Sequence, residues 1–122
     1  MIRRFLVLVP FLALTACEPD FERLQIDAIV TSPLGGRLSP QELSVPEGLA
    51  LKANITALDD DRETMRLSIR ASDPTVVGVE NVVTPRGYAF IGRRAGQTDL
   101  FVEADDRLVL TIHAVVTPQP SP

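Results

Sequence analysis

The chain has 122 residues, one cysteine, no tryptophan and a formal net charge of −4. This length fits a single domain, and one cysteine excludes an intrachain disulfide, so the hydrophobic core alone has to stabilise the fold. The acidic balance argues against a nucleic-acid partner and against a basic membrane-binding patch.

Residues 1–17 have the three-part layout of a secretory signal. Arg3 and Arg4 supply the positive charge, and the ten residues from Phe5 to Leu14 are almost all apolar. An apolar stretch of that length suits a signal peptide and is too short for a stable transmembrane helix. We therefore predict a helical signal peptide over residues 1–16.

The signal ends in Leu14-Thr15-Ala16-Cys17, which resembles the lipobox of bacterial lipoproteins. The resemblance implies cleavage after Ala16, a thioether-linked diacylglycerol on Cys17 and a further acyl chain, such as palmitate, on the new amino group. The alternative is an ordinary signal peptide that leaves a free thiol. Glu18 is not the Asp that favours inner-membrane retention in enteric bacteria, so the outer membrane is favoured over the inner membrane.

Cleavage would leave 106 residues, and removal of Arg3 and Arg4 would bring the net side-chain charge to −6. Residues 17–23 are interpreted as the lipidated cysteine and a short spacer, which would hold the domain close to the membrane. Residues 24–116 form the predicted domain, and residues 117–122 form a proline-rich tail that we expect to be disordered.

Alternating apolar and polar residues predict short β-strands throughout residues 24–116. The clearest alternation runs from Leu49 to Ala57, and Pro40 interrupts an earlier extended segment. Strand 88–93 has no clear phase, so Tyr88 and Phe90 are left open between core and surface. In the last two strands, one apolar set is expected to face inward: Thr98, Leu100, Val102 and Ala104, followed by Leu108, Leu110, Ile112, Ala114 and Val116.

About seven short strands at regular spacing predict an all-β fold, an immunoglobulin-like sandwich of antiparallel strands, with a barrel as the alternative. The segment from Ser72 to Val79 (SDPTVVGV) resembles a signature of the group 2 bacterial immunoglobulin-like domains. Arg94 to Leu100 resembles the turn of these domains into their penultimate strand. Gly48, just before the strand that begins at Leu49, stands where these domains often have a glycine. Ile69 stands where the family usually has tryptophan. The resemblance implies an adhesion or spacer module of bacterial surface proteins, without catalytic residues.

No catalytic residue, metal site or cofactor is predicted. His113, the single histidine, is expected on the outer face of the last strand without partners for catalysis or metal binding. Asp59-Asp60-Asp61 is contiguous, whereas calcium loops alternate ligands with spacers, so a solvated loop is favoured. A calcium site that pools carboxylates from two loops stays open as an alternative.

One outer face carries the candidate binding residues. The strands that begin at Met65, Thr98 and Arg107 are expected to be neighbours in one sheet, and their outward positions are Arg66, Arg70, Phe101, Glu103, Val109, Thr111 and His113. Of these, we predict Phe101, Arg66, Arg70 and His113 as contact residues. The alternative is cross-strand pairing, with Arg66 or Arg70 on Glu103 or Asp99, and Phe101 packed over Val109.

These observations predict a non-catalytic, membrane-anchored envelope lipoprotein whose immunoglobulin-like domain binds a surface glycan or an envelope protein. A second interpretation is an accessory structural subunit of an envelope assembly for secretion or transport, with no ligand of its own. Neither interpretation fixes an oligomeric state.

Overall fold

Ten β-strands form the described part of the chain. The structure is a computed structural model that describes residues 20–30, 35–82 and 87–119. The predicted signal peptide, Cys17 and the last three residues of the tail lie outside these ranges. Within them, no helix has the length and apolar character needed to cross a bilayer.

The strand pattern confirms the all-β prediction. The strands are β1 Phe21–Val30, β2 Arg37–Leu38, β3 Glu42–Pro46, β4 Ala50–Asp59, β5 Thr64–Met65, β6 Leu67–Ala71, β7 Val77–Asn81, β8 Gly87–Gly92, β9 Gly96–Ala104 and β10 Arg107–Thr117. Their number exceeds seven partly because the expected second strand is split. Around Pro40, the hydroxyl of Ser39 accepts hydrogen bonds from the backbone N–H groups of Gln41 and Glu42. These bonds form a turn between β2 and β3.

Two sheets face each other, as the predicted sandwich requires. One has the order β1-β4-β8-β7, with β5 also paired to β4, and the other has the order β2-β3-β10-β9-β6. The prediction of purely antiparallel strands is wrong for one pair, because β3 runs parallel to β10 from Glu42 opposite His113 to Pro46 opposite Thr117. These strands are far apart in sequence and not joined by a hairpin, so the connection does not impose opposite directions.

The core lies between the sheets, and clean alternation located it correctly. Leu51, Ala53, Ile55 and Ala57 of β4 are buried, as are Thr98, Leu100, Val102 and Ala104 of β9. Because alternate residues of a strand point to opposite faces, each strand contributes one apolar row to the core. The confirmed rows define the inner face of each sheet and therefore its outer face.

Strand β8 supplies the aromatic part of the core. Tyr88 and Phe90 are both buried, with ring centroids 6.4 Å apart and a stacked arrangement. The Tyr88 hydroxyl donates a hydrogen bond of 3.2 Å to the Leu67 carbonyl, which links β8 to β6 of the other sheet. Burial raises the pKa of the Tyr88 phenol, because the charged form loses its hydration.

The beginning of β10 differs from the prediction because of a β-bulge. Leu108 was expected to face the core, but its side chain is 58% exposed. The register with β9 shifts between Leu108 and Leu110, so Leu108 lies opposite Glu103 on the outer face. Val109, expected to face outward, packs instead against the edge of the core. An extra residue in one strand changes the side-chain alternation locally, which explains both differences.

Asp59 is also a correction, because it lies in β4 and is buried instead of belonging to a solvated loop. Its carboxylate accepts hydrogen bonds from the backbone N–H groups of Asp61 and Glu63, at 2.9 and 2.8 Å. These bonds satisfy the carboxylate and close the turn between β4 and β5, as aspartate side chains commonly do in turns. Asp60 and Asp61 are exposed, as predicted.

The two ends of the sandwich differ in which chain terminus they carry. At the first, here called the N-terminal end, β1 begins and the backbone N–H of Asp60 bonds to the carbonyl of Asp20 at 3.0 Å. At the opposite, C-terminal end, β10 finishes and the Glu47 N–H bonds to the Thr117 carbonyl at 2.9 Å. The N-terminal segment and the tail therefore leave the domain from opposite ends.

Gly92 lies where the two sheets approach each other at the C-terminal end. A Cβ atom there would lie 2.5 Å from the carbonyl oxygen of Pro46. We expect Gly92→Ala to lower the free energy of unfolding by about 3 kcal/mol, because backbone has to move to relieve the overlap. Urea unfolding measures this loss. Gly48→Ala is the control, since its Cβ would meet open space and pay only for a φ of +86°, about 1 kcal/mol. An equal or smaller loss for Gly92→Ala would contradict the close approach.

Candidate functional site

The predicted outer face is formed by β6, β9 and β10, but the strand expected to begin at Met65 is split. Met65 belongs to β5, which pairs with β4 of the other sheet, and β6 begins at Leu67. The three strands of the face are neighbours, and the register sets Arg70 opposite Phe101, and Phe101 opposite Thr111. Directly opposed residues of antiparallel strands share a face, so these three side chains form one row across the sheet. Arg70 and Thr111 are exposed and Phe101 is half-buried.

Arg70 and Phe101 make the most specific contact on this face. The guanidinium carbon lies 4.8 Å from the centre of the phenyl ring. A cation over an aromatic face is attracted by the ring quadrupole, and the flat guanidinium also covers apolar ring surface. The ring is therefore partly covered by a residue of the same chain, which differs from the predicted packing of Phe101 over Val109.

His113 pairs with Asp99 on the same face. Its Nδ1 atom lies 3.5 Å from a carboxylate oxygen of Asp99, and both side chains are about half exposed. On the other side, the parallel register sets Glu42 opposite His113. Protonation of the imidazole would give an ion pair that solvent screens, and exposed pairs of this kind contribute little stability. Surface exposure of His113 agrees with the prediction.

Arg66 lies apart from this row, at the N-terminal end of the sandwich. Its guanidinium forms an ion pair with Asp106, and its backbone N–H donates to the Asp105 carboxylate at 2.9 Å. Both acidic residues belong to the tight turn between β9 and β10. Arg66 therefore fixes that hairpin, whereas Arg70, Phe101 and His113 lie together further along the face. The structure brings three of the four predicted contact residues together.

The contacts agree with the alternative in which side chains of this face pair with each other, but the partners differ from those expected. Arg66 or Arg70 was expected to pair with Glu103 or Asp99, but Arg66 pairs with Asp106, and Arg70 lies over the Phe101 ring. Such pairs stabilise a sheet and do not by themselves make a binding site. A His–Asp pair polarises an imidazole, but acyl transfer also needs a positioned nucleophile. The binding role of these residues stays a prediction.

Two acidic motifs have structural roles in the described residues. Ligand atoms of Asp59, Asp60 and Asp61 lie within 4.8 Å of one another, but the carboxylate of Asp59 already accepts two backbone N–H groups. Asp73, from the segment with the family resemblance, accepts bonds from the hydroxyl and N–H of Thr75, which lower the pKa of its carboxyl. Both motifs close turns.

Sequence reasoning missed an exposed leucine beside a pocket of mixed lining at the N-terminal end. Asp20, Phe21, Arg107, Leu108 and Val109 line an open pocket of about 370 Å³. Its exposed leucine was assigned to the core because the alternation of β10 has no visible break. A bulge leaves no composition signal here, so only the register of the sheet identifies this surface.

A double-mutant cycle tests the contact between Arg70 and Phe101. We expect Arg70→Ala and Phe101→Leu to be coupled by about 0.5–1 kcal/mol in the free energy of unfolding, since either change removes the cation–π contact. Arg66→Ala with Phe101→Leu is the matched control and should show no coupling, because Arg66 pairs with Asp106. Equal coupling in both cycles would contradict the geometry.

Comparisons with known proteins identify structural neighbours only. No protein-family model matches the chain, and no curated protein matches it. Domains 4 and 5 of the S-layer protein SbsC match with a TM-score of 0.56 at 15% identity, over 82% of this chain and 54% of that one. Domains 4–9 give 0.58 at 14% identity, over 86% and 15%, and domains 5 and 6 give 0.55 at 17%, over 86% and 47%. The chain thus spans about half or less of the structures it matches. At such identities, the likeness shows a shared fold: this chain has the β architecture of those S-layer domains.

Proposed function

We propose that the protein is a lipid-anchored lipoprotein of the bacterial cell envelope whose immunoglobulin-like domain is a non-catalytic binding module. The observation that carries the proposal is Leu14-Thr15-Ala16-Cys17 at the end of an apolar segment, followed closely by the first strand of the domain. Strand β1 begins at Phe21, three residues earlier than predicted, so only residues 18–20 separate the anchor cysteine from the sandwich.

The fold supports an envelope role. The structural neighbours are domains of a surface-layer protein, so this architecture occurs in a protein of a surface layer. In the present chain, the anchor and the tail leave from opposite ends of the sandwich. A domain tethered at one end presents its other end and its outer faces away from the membrane, where an envelope protein or a surface glycan can reach Phe101, Arg70 and His113.

A second candidate is an accessory subunit of an envelope assembly. The observation that favours it is that predicted contact residues already have partners within the chain: Arg70 lies over Phe101, and His113 lies beside Asp99. A sheet face whose side chains pair with each other suits protein contact better than capture of a small sugar, since ligand sites are usually concave. In this case the domain would be held by a partner protein and would have no glycan ligand.

Intact-mass analysis of the membrane-extracted protein tests the anchor. The proposal expects loss of the first sixteen residues and addition of diacylglycerol and an acyl chain. A mature mass without lipid would contradict it and indicate a free exported domain. Purification in mild detergent then separates the two candidates: a stoichiometric protein partner supports the accessory subunit, whereas retention on envelope glycan without a partner supports the binding module.

A further inference from the structure

At the N-terminal end of the sandwich, the leucine Leu108 is exposed beside a pocket that is also lined by Asp20 and Arg107. Leu108 is 58% exposed there, whereas its neighbours Phe21 and Val109 are half-buried and pack against the core. Transfer of an exposed apolar side chain from water into an apolar phase lowers the free energy of the system. The position of the chain terminus indicates what that phase is.

The chain leading to the proposed anchor enters the domain beside this leucine. Asp20 lines the same pocket as Leu108, and three peptide units join it to Cys17. A fully extended chain of that length spans at most about 11 Å. A lipid on Cys17 would therefore hold the pocket within about 11 Å of the lipid headgroups. Interfacial side chains insert to a depth of about 5–10 Å, so the pocket would be close enough to the bilayer for such a contact.

We propose that the N-terminal end of the sandwich docks on the bilayer that holds the anchor, with Leu108 inserted at the boundary between headgroups and acyl chains. This inference rests on the lipid anchor of the proposed function. It orients the domain end-on: β10 runs away from the membrane from Arg107 to Thr117, so the C-terminal end points outward.

Charge selects the kind of bilayer. Seven exposed carboxylates outnumber four exposed guanidinium groups at this end. The carboxylates belong to Asp20, Glu22, Asp60, Asp61, Glu63, Asp105 and Asp106, and the guanidinium groups to Arg23, Arg62, Arg66 and Arg107. These carboxylates are called the acidic ring below. Anionic lipid would repel the acidic ring, since a negative surface attracts basic segments and disfavours acidic ones. Docking is therefore driven by apolar contact and favours zwitterionic lipid.

The tether makes so small an apolar contact sufficient. One leucine would not hold a free protein on a membrane, but a short linker turns docking into an intramolecular step with an effective concentration in the range of about millimolar. Each orientation of the domain then competes only with other tethered orientations. Leu108 lies at the end next to the linker, whereas Ile29, the other exposed large apolar side chain among the described residues, lies toward the far end of β1. The N-terminal end therefore has the advantage.

Two single-tryptophan variants of the full lipidated chain test the docking. The protein has no tryptophan, so L108W and T117W each report one position, at opposite ends of β10 and about 30 Å apart. Both variants are reconstituted through their own lipid into phosphatidylcholine vesicles with brominated acyl chains. We expect L108W emission to shift to the blue and to fall by about half, as an indole at interfacial depth would, while T117W emission stays unchanged. Addition of phosphatidylglycerol should reduce the quenching of L108W.

The outcomes separate this inference from the proposed function. An intact mass without lipid would overturn both. A lipidated protein in which L108W and T117W are quenched equally, or in which neither is quenched, would overturn end-on docking and leave the anchor in place. Should L108W fail to fold, L108C carrying an environment-sensitive dye reports the same position, because the lipid occupies the thiol of Cys17. Quenching that increases with anionic lipid would contradict the role assigned to the acidic ring.

Discussion

Replacement of Cys17 by serine is expected to abolish incorporation of fatty acid into the protein. The thiol sulfur is the atom that would carry diacylglycerol, and a hydroxyl does not substitute for it as a nucleophile, because the thiolate is far more reactive. The anchoring energy would be lost with it: each buried CH₂ contributes about 0.8 kcal/mol, one chain binds only marginally, and two or more give stable attachment. Metabolic labelling with a fatty-acid analogue measures the change.

The readout is fatty-acid labelling because membrane association alone would be ambiguous. An uncleaved C17S chain would retain the apolar segment from Phe5 to Leu14 and stay bound to membrane through it. Glu18→Ala is the matched control, since it changes the adjacent residue, keeps the sulfur and should be labelled like the natural chain. Labelling of C17S, or absence of label from the natural protein, would contradict a lipid on Cys17.

The fold was predictable wherever the side-chain period was clean. In β4 and β9, apolar residues alternate with polar ones, so burial of Leu51, Ile55, Leu100 and Val102 followed from the sequence alone. Such strands have one face in contact with solvent and one face packed against the core, and the alternation of polar and apolar residues identifies both. The positions of two sheets and of the outer face of β9 followed from the same rows.

The phase of β8 was not predictable because the strand is buried on both faces. Tyr88, Ala89 and Phe90 are consecutive and all buried; on the outer side, the small Ala89 lies between Lys52 of β4 and Glu80 of β7. A strand without a polar face has no period to detect. The core position of Phe90 therefore emerged only from the packing of the sandwich.

The candidate site was predictable in outline, but its contacts were not. Sheet order brought Arg70, Phe101 and His113 to one face, as the sequence indicated. Pairing depends on register, and a single bulge in β10 changes it, which moved Leu108 to the surface. Arg66 pairs with Asp106 in the turn of a hairpin that the sequence predicts, yet the direction of a long side chain is set by local backbone geometry.

Phe90→Ala is expected to cause the largest loss of stability in the domain, about 3–5 kcal/mol in the free energy of unfolding, because it empties the centre of the core. Phe90 is fully buried and is the largest such side chain in the described residues. It stacks beside Tyr88 and lies opposite Leu51 and Val79 in the flanking strands. A domain of this size has about 5–15 kcal/mol in total, so the variant would be close to unfolding at ambient temperature.

Chemical unfolding of residues 18–122 measures the loss, with Phe101→Ala as the matched control. The chemical change is the same, but Phe101 is half-buried on an outer face under Arg70, so about 1 kcal/mol is expected there. The difference between the two alanine variants tests the assignment of inner and outer faces directly. Equal losses would mean that β8 and β9 do not present these rings to core and solvent as described. A large loss at Phe90 alone would show that β8 presents Phe90 to the core of this sandwich, which lacks both tryptophan and an intrachain disulfide, whereas β9 presents Phe101 to the outer face.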